Sequence, residues 1–211
     1  MNATASTTPT KPRDAERTRL AILTAAAEVF SESGFAGARV AQIAERAGVP
    51  GGLLYHYFDS KRSLFEAALG QAFEPFAQQI LQLMQHADPS LELFEHVIRN
   101  YYGLLRSRPR LARMTAWWYA SLGWVESPQP MNAIWTAKQS AVKFVQRLKD
   151  KGEIRPDVDA EGVVLSILAL CQQWHISHGE NLHLLNLSAH EDPHDARLDQ
   201  IVDIVMRGIK S

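Results

Sequence analysis

The sequence has only one cysteine, no apolar segment at its N-terminus and almost no net charge. Cys171 stands alone among 211 residues, so no intrachain disulfide can form and a reducing compartment is expected. The first residues, MNATASTTPTKP, lack the apolar core of a signal peptide. The longest apolar run, residues 163–171 with one serine inside, is too short to span a bilayer. We therefore predict a soluble, cytoplasmic protein without a membrane partner.

Two further absences limit the function. The formal net charge of −1 argues against a polycation that binds nucleic acid indiscriminately, although Lys11, Arg13, Arg17 and Arg19 are grouped near the start. The sequence contains no Gly-rich phosphate loop, no HExxH motif and no GxSxG motif. We therefore expect no enzyme activity, no catalytic residues, no bound metal and no cofactor.

The hydrophobic pattern is helical, and no alternating strand pattern of useful length is present. The predicted fold is all-α, with about nine helices in two parts. Residues 1–12 are predicted to be a disordered arm, residues 13–70 a three-helix head with a helix-turn-helix, and residues 71–211 a larger helical domain.

Residues 34–69 carry the helix-turn-helix pattern. Gly48 follows a short apolar helical face at the position where a helix commonly ends in the left-handed conformation, and Pro50 suits the first residue of the next helix. That second helix, residues 50–57, is of the kind that enters a DNA major groove. The predicted core positions of this pair are Val40, Ile43, Ala44, Ala47, Leu54 and Phe58.

Other helix boundaries follow from cap and proline signals. The first helix is predicted over residues 14–33, with Leu20, Leu23, Ala27 and Phe30 buried and Gly34 ending it. Ser60 is the expected cap of a long helix with a kink or break at Pro75. Later starts are expected at Asp88-Pro89, at Pro109, at residue 134 after a loop with Pro128 and Pro130, at residue 160 after Asp157 or Asp159, and at Asp192-Pro193.

The order of motifs resembles a known family. An apolar helix ending in AGV is followed by LYHYF, then by SK and a long amphipathic helix, and the upstream stretch reads RTRLAILTAAAEVFSESGF. Over residues 17–69 this string resembles the DNA-binding domain of TetR-family transcriptional regulators. The resemblance implies a ligand-responsive regulator, most often a repressor, that binds palindromic operator DNA as a homodimer through its last two helices.

The resemblance also nominates DNA contacts. Carried over position by position, it points to Leu53, Tyr55, His56, Tyr57 and Lys61. Many members have Ser or Thr at the positions of Pro50, Leu53 and one of Ala38 or Arg39. We add Arg39, which can reach a phosphate, and Gln42, which can contribute base specificity. Gly51 and Gly52 are added as N-terminal residues of the reading helix, although they offer almost no side chain for readout.

The later part of the chain is rich in aromatic residues. Adjacent Trp117, Trp118 and Tyr119 cannot all point the same way on a helix, so some of these rings must face a cavity, the dimer partner or water. We predict an effector pocket formed by Tyr102, Trp117, Trp118, Trp135, Cys171, Trp174 and His175. The dimer interface is predicted on two adjacent stripes, Val163, Ile167, Leu170 and Trp174, and Val164, Leu168, Cys171 and His175.

Two alternatives remain open at the level of sequence. Cys171, His175 and His178 are spaced i, i+4 and i+7, with His183 nearby, which is compatible with a zinc or copper site and a metal-responsive regulator. The other alternative is a helical interaction protein whose head does not bind DNA. A salt-dependent operator complex distinguishes this alternative from a regulator.

Overall fold

Every regular element of the described chain is an α-helix. The computed structural model describes residues 12–121, 132–188 and 192–210, and everything below refers to these residues. The ten helices are α1 (Pro12–Gly37), α2 (Val40–Ala47), α3 (Gly51–Tyr57), α4 (Lys61–His86), α5 (Leu91–Ser107), α6 (Pro109–Ser121), α7 (Asn132–Asp150), α8 (Ala160–Ile176), α9 (His178–Leu184) and α10 (His194–Ile209). The all-α prediction is confirmed. The predicted loop with Pro128 and Pro130, and the predicted N-terminal arm apart from Pro12, lie outside the described residues.

The chain divides into two compact units, and the division lies within α4. The first unit, here called the head, ends at Ala68, and the second, here called the body, begins at Leu69. None of the described helices is both long enough and apolar enough to cross a membrane.

The core of the head is a cluster of aromatic and aliphatic side chains. Phe30 packs edge-on against Phe65 with ring centroids 4.8 Å apart, and Ile43 and Leu54 are fully buried beside this centre. Gly34 leaves helical geometry with φ 68°, so α1 is interrupted where the sequence predicts its end. The predicted burial of Leu20 is wrong: this side chain is exposed, and Ile22 and Ala26 occupy the inner face instead.

The turn between α2 and α3 has the predicted glycine geometry. Gly48 adopts φ 67°, and the N–H groups of Gly48 and Val49 donate to the carbonyls of Glu45 and Ala44. Pro50 remains extended, so α3 begins one residue later than predicted, at Gly51. Because these bonds close the end of α2, the direction of α3 is fixed within the head.

The start of α4 is capped as predicted, but the predicted interruption is absent. Ser60 Oγ accepts from the N–H of Ser63 at 3.0 Å, and Ser63 Oγ accepts from the N–H of Ser60 at 3.0 Å. The helix then continues through Pro75 without a break. A proline removes one helical hydrogen bond, but buried Phe73 and Ala77 anchor the helix on either side.

Several helix ends in the body differ from the prediction. Helix α5 begins at Leu91 because Ser90, and not Asp88, accepts from the N–H of Leu93. Asp159 rather than Asp157 caps α8 by accepting from the N–H of Gly162 at 3.1 Å. The predicted helix to His178 is two helices, because α8 ends at Ile176 and the separate α9 follows.

Helix α8 is the central helix of the body and packs against α5, α6, α7 and α10. Exposed ion pairs add to the packing of α5 against α10: Arg106 bridges Asp192 and Asp195 at 2.7 Å each, and Arg99 lies 2.8 Å from Asp199. Most of the free energy that stabilises this packing comes from the buried apolar residues of α5, because each exposed ion pair contributes little.

Candidate DNA-binding surface and effector cavity

Helix α3 presents a polar and backbone-rich outer face. Tyr55 is 61% exposed and His56 is also exposed, while Gly51 and Gly52 have no neighbouring atom that would meet an added Cβ. Leu53 and Tyr57 are half-buried at the edges of this face. The inner face is formed by Leu54 and Phe58, both buried as predicted. The exposed backbone at the two glycines lets a nucleic-acid strand approach closely.

The start of α2 adds a cation next to this face. The side-chain oxygen of Gln42 accepts from the N–H of Arg39 at 3.3 Å, which leaves the Gln42 amide N–H groups available to a base or phosphate. Arg39 is exposed and has no carboxylate partner within the described residues, whereas Arg46 on the same helix lies 3.0 Å from Glu32. Arg39 is therefore the cation of α2 that is available to phosphate.

Lys61 is held in place by the end of α1. Its Nζ donates to the carbonyl of Ala36 at 3.2 Å and lies 5.0 Å from the ring centroid of Phe35. Lys61 and Tyr55 line one small crevice with Val40, so these predicted DNA contacts of α4 and α3 lie together. Lys61 thus combines a structural role with a positive charge beside the exposed face of α3.

The helix ends of this surface favour anions. Within the described head, the first turns of α2, α3 and α4 contain no acidic residue. The unpaired N–H groups and the dipole at a helix N-terminus attract phosphate, and no carboxylate in these turns cancels that attraction. The surface therefore has the charge and the hydrogen-bond donors that a DNA backbone requires.

The body contains an apolar cavity of about 100 Å³ between α4, α5, α6, α7 and α8. Most of its lining is aliphatic or aromatic, including Phe73, Phe76, Ile80, Phe94 and Ile167. Two hydrogen-bonded polar pairs also line it. Gln172 donates to the hydroxyl of Tyr101 at 2.7 Å, and Lys138 donates to the hydroxyl of Tyr119 at 3.2 Å. An apolar cavity with a few polar groups has the character of a small-molecule site.

Comparisons with known proteins agree with this arrangement. The family described as bacterial regulatory proteins, tetR family, matches residues 22–68. The HTH-type transcriptional repressor NicS of Pseudomonas putida is 29% identical over 213 aligned residues, which cover 96% of this chain and 97% of the relative. Residues 22–68 therefore form a tetR-family domain, and the whole chain is similar to regulators of that family.

Solved structures of the same fold extend over nearly the whole chain. A TetR-family transcription regulator from Marinobacter aquaeolei superposes with a TM-score of 0.73 at 17% identity, over 95% of this chain and 100% of that chain. FadR of Bacillus subtilis, solved in complex with stearoyl-CoA, superposes with a TM-score of 0.71 at 20% identity, over 90% and 98%. These superpositions confirm the predicted all-α fold, and the family match together with the similarity to curated regulators supports the prediction of a DNA-binding transcriptional regulator.

The cavity is lined by only one of the seven predicted pocket residues, Trp118. Trp117 and Trp135 are exposed, because they lie on the outer faces of α6 and α7. The other four predicted residues lie in a separate cluster between α5, α8 and α10. This cluster, here called the histidine cluster, consists of Tyr102, Cys171, Trp174, His175, His178 and His194. The predicted pocket thus combined two different regions of the body.

The histidine cluster is a packed core. His194 Nδ1 lies 2.9 Å from the Tyr102 hydroxyl and accepts from the Trp174 indole N–H at 3.2 Å. The His194 ring stacks on His175 and on His178 at 5.3 and 5.0 Å. Burial, with the charges of His194 and His178 adding to it, lowers the pKa of His175 to about 4. The His175 imidazole is therefore neutral near neutral pH, and burial also lowers the pKa of His194.

The cluster does not form the metal site that the spacing of Cys171, His175 and His178 allowed. Among the described residues, no group of three or more His, Cys, Asp or Glu side chains is arranged to hold a metal ion. Burial also raises the pKa of the Cys171 thiol to about 12, which opposes the thiolate that a metal requires. This geometry does not support the alternative of a metal-responsive regulator.

The sequence analysis missed most of the polar lining of the cavity. Tyr119 was noted but not placed in the pocket, and Tyr101, Gln172 and Lys138 were not nominated. A usable signal was present, because Lys138 shares one face of α7 with Ile134 and Ala141 at i−4 and i+3. A charged residue within an apolar helical face indicates a site or a rim.

Proposed function

We propose that this protein is a homodimeric TetR-family repressor that binds a palindromic operator through α2 and α3 and is released by a small molecule bound in the body cavity. The observation that carries the DNA-binding part is the outer surface of the head. Tyr55, His56, Arg39 and Lys61 lie on helices whose first turns carry no acidic residue. Such a surface binds a phosphate backbone and inserts α3 into the major groove.

The residues of this surface divide by chemistry into positioning and reading roles. Arg39 and Lys61 supply the positive charges for phosphates, and the Tyr55 hydroxyl donates to a phosphate oxygen. Gln42 and His56 carry the hydrogen-bonding groups that reach base edges, and Leu53 suits a thymine methyl group. Gly51 and Gly52 contribute close approach of the backbone.

A second copy of the chain is the proposed partner of the body. Helices α8 and α10 leave an exposed apolar face, with Leu165 65%, Ile176 45% and Ile204 53% exposed. Of the predicted stripes, Ile167, Trp174, Val164 and Cys171 instead face the interior of the same chain. The proposed interface therefore uses the opposite sides of the predicted helices. Burying large aliphatic side chains on both partners favours a two-fold dimer.

Release requires that the effector favours one state of the protein over another. Helix α4 carries Lys61 in the head and continues to Phe73, Phe76 and Ile80, which line the cavity of the body. A ligand that fills the cavity and shifts these side chains acts directly on the helix that begins beside the DNA-binding surface. A shift in the position of α4 changes the spacing of the two heads on DNA, which releases the operator.

Fluorescence anisotropy with DNA flanking the regulator's own gene tests DNA binding. The double variant Tyr55→Ala/Arg39→Ala is expected to lose at least about a hundredfold in affinity for DNA. Its remaining affinity should depend less steeply on salt concentration than that of the wild type. The matched control is Arg207→Ala, which removes an exposed arginine of the body and leaves the head unchanged. Equal affinity of the double variant and the wild type contradicts the proposal and favours the helical interaction protein.

Sedimentation velocity tests the dimer. Leu165→Glu places a charge within the proposed interface and should convert the dimer to a monomer. Leu184→Glu changes a side chain of α9 that is 79% exposed, and the dimer should remain. A Leu165→Glu protein that stays dimeric rejects this interface.

A further inference from the structure

The cavity of the body has a single charged lining residue. Among the described residues that line it, Lys138 is the only one that carries a charge, and the other polar side chains are Tyr101, Thr115, Trp118, Tyr119 and Gln172. Thr115 already donates to the carbonyl of Leu111 at 2.8 Å. No carboxylate of the described residues pairs with Lys138. A cation at an apolar cavity without an acidic partner selects for an anion, because an anion can neutralise the charge.

The Lys138 ammonium group is oriented by an aromatic neighbour. It donates to the Tyr119 hydroxyl at 3.2 Å and lies 5.6 Å from the centroid of the same ring. Lys138 is half-buried and Tyr119 is partly exposed, which places the pair at the rim of the cavity. Because the Tyr119 oxygen accepts from Lys138, its own hydroxyl proton is available to donate to a ligand.

The cavity also has a second polar pair. Tyr101 is buried on α5, and its hydroxyl group accepts a hydrogen bond from Gln172 of α8 at 2.7 Å. Burial raises the pKa of Tyr101, and Tyr119 raises it further. Both pairs line the same cavity. They give an otherwise apolar cavity its hydrogen-bond donors and its one positive charge.

We propose, on the basis of the proposed function, that the effector is a small apolar monocarboxylate whose carboxylate group binds Lys138 and Tyr119. One positive charge matches one negative charge, and a charge-assisted hydrogen bond to a carboxylate is stronger than the present bond to a neutral phenol. Size adds a second limit. An apolar cavity of roughly 150 Å³ in another protein holds one benzene molecule, so a cavity of about 100 Å³ favours a short aliphatic chain over a ring.

Calorimetric titration of the full-length wild type tests this inference without DNA. The probes are phenylacetate and hexanoate, each compared with its uncharged amide, phenylacetamide and hexanamide. The wild type should bind at least one carboxylate about tenfold more tightly than its amide. Lys138→Met keeps the apolar stem of the side chain and should remove this preference while the amide affinity stays within about threefold. Lys143→Met, an exposed residue of the same helix, is the control and should match the wild type.

Three results overturn the inference. The first is that Lys138→Met binds the carboxylates as tightly as the wild type does. The second is that neither carboxylate binds at millimolar concentration, and the third is that both amides bind more tightly than the acids. Anisotropy with operator DNA separates these failures from failure of the proposed function. Release of DNA by an uncharged compound supports the proposed repressor function and rejects the carboxylate effector. Carboxylate binding through Lys138 without release of DNA supports the carboxylate site and rejects the proposed release mechanism.

Discussion

The head and the body use their side chains in opposite ways. In the head, the residues proposed to act are exposed on α2, α3 and α4, and the buried residues only support them. In the body, the residues proposed to act line an interior cavity, and the exposed aromatics such as Trp135 do not reach it. The comparison shows that the exposed face of a helix can be predicted from local helix signals, whereas the lining of an interior cavity depends on how each helix is turned toward its neighbours.

Tyr101 and Tyr102 show the same contrast within one helix. They are adjacent in α5, yet Tyr101 lines the cavity while Tyr102 lies in the histidine cluster. Successive residues of an α-helix point about 100° apart, so neighbours enter different regions. Tyr101 is linked to Gln172, and Tyr102 to His194. The cavity contains space for a ligand, and the histidine cluster is filled by its own rings.

The largest expected difference is in the free energy of unfolding, between a variant that lacks a tryptophan of the histidine cluster and one that lacks a tryptophan of the cavity. Trp174→Ala should lower the free energy of unfolding by about 3–5 kcal/mol, because it empties a packed site. Trp118→Ala enlarges an existing cavity and should cost less than about 2 kcal/mol. Urea unfolding at equal protein concentration measures both. Equal losses for the two variants are incompatible with a filled cluster and an open cavity.

The histidine cluster should make the body sensitive to acid. The pKa of His175 is about 4 in the folded protein against 6.5 ordinarily, because burial disfavours the charged ring. Between these values the unfolded chain binds a proton that the folded chain does not, so the free energy of unfolding falls as pH falls through this window and is retained above it. His175→Phe should reduce this slope in urea unfolding from pH 7.5 to 4.5. His96→Gln, at an exposed position of α5, should leave the slope unchanged, and equal slopes in all three proteins reject a role for His175.

Glycine substitutions should separate stability from DNA binding in the head. Gly51→Ala is expected to raise the free energy of unfolding by about 0.5–1 kcal/mol, because the site is helical and open. Affinity for DNA should fall several-fold, because the methyl group occupies space that the DNA backbone needs. Gly103→Ala, at an equally open position of α5, should stabilise without changing DNA affinity. Unchanged affinity in Gly51→Ala excludes close approach of the backbone at this residue.

The smallest effect is expected at Cys171. Its thiol is fully buried in the histidine cluster, and burial raises its pKa to about 12. A disulfide reagent such as DTNB at pH 8 should therefore modify it only as fast as the body unfolds, and phenylacetate should not alter that rate beyond its effect on stability. Rapid modification of the folded protein, blocked by ligand, places Cys171 at the cavity and contradicts the separation of the two regions.

Local sequence signals were sufficient for the head. Gly48 ends α2 because glycine adopts a positive φ without strain, and Ser60 begins α4 because its hydroxyl group satisfies a free N–H. The spacing of Leu54 and Phe58 determined which side of α3 is buried, and so which side is exposed. These features depend on a few neighbouring residues, and the family resemblance covers the same segment.

The tertiary structure decided what short-range pattern could not. Leu20 is exposed because α1 turns Ile22 and Ala26 inward, and Pro75 is accommodated because buried neighbours hold α4. Above all, packing around α8 separated Trp118 from Trp174 and brought Lys138, Tyr119, Tyr101 and Gln172 to one cavity. Composition and periodicity identify which residues are apolar or aromatic. The rotation of each helix about its axis, set by contacts distant in sequence, decides what those residues face.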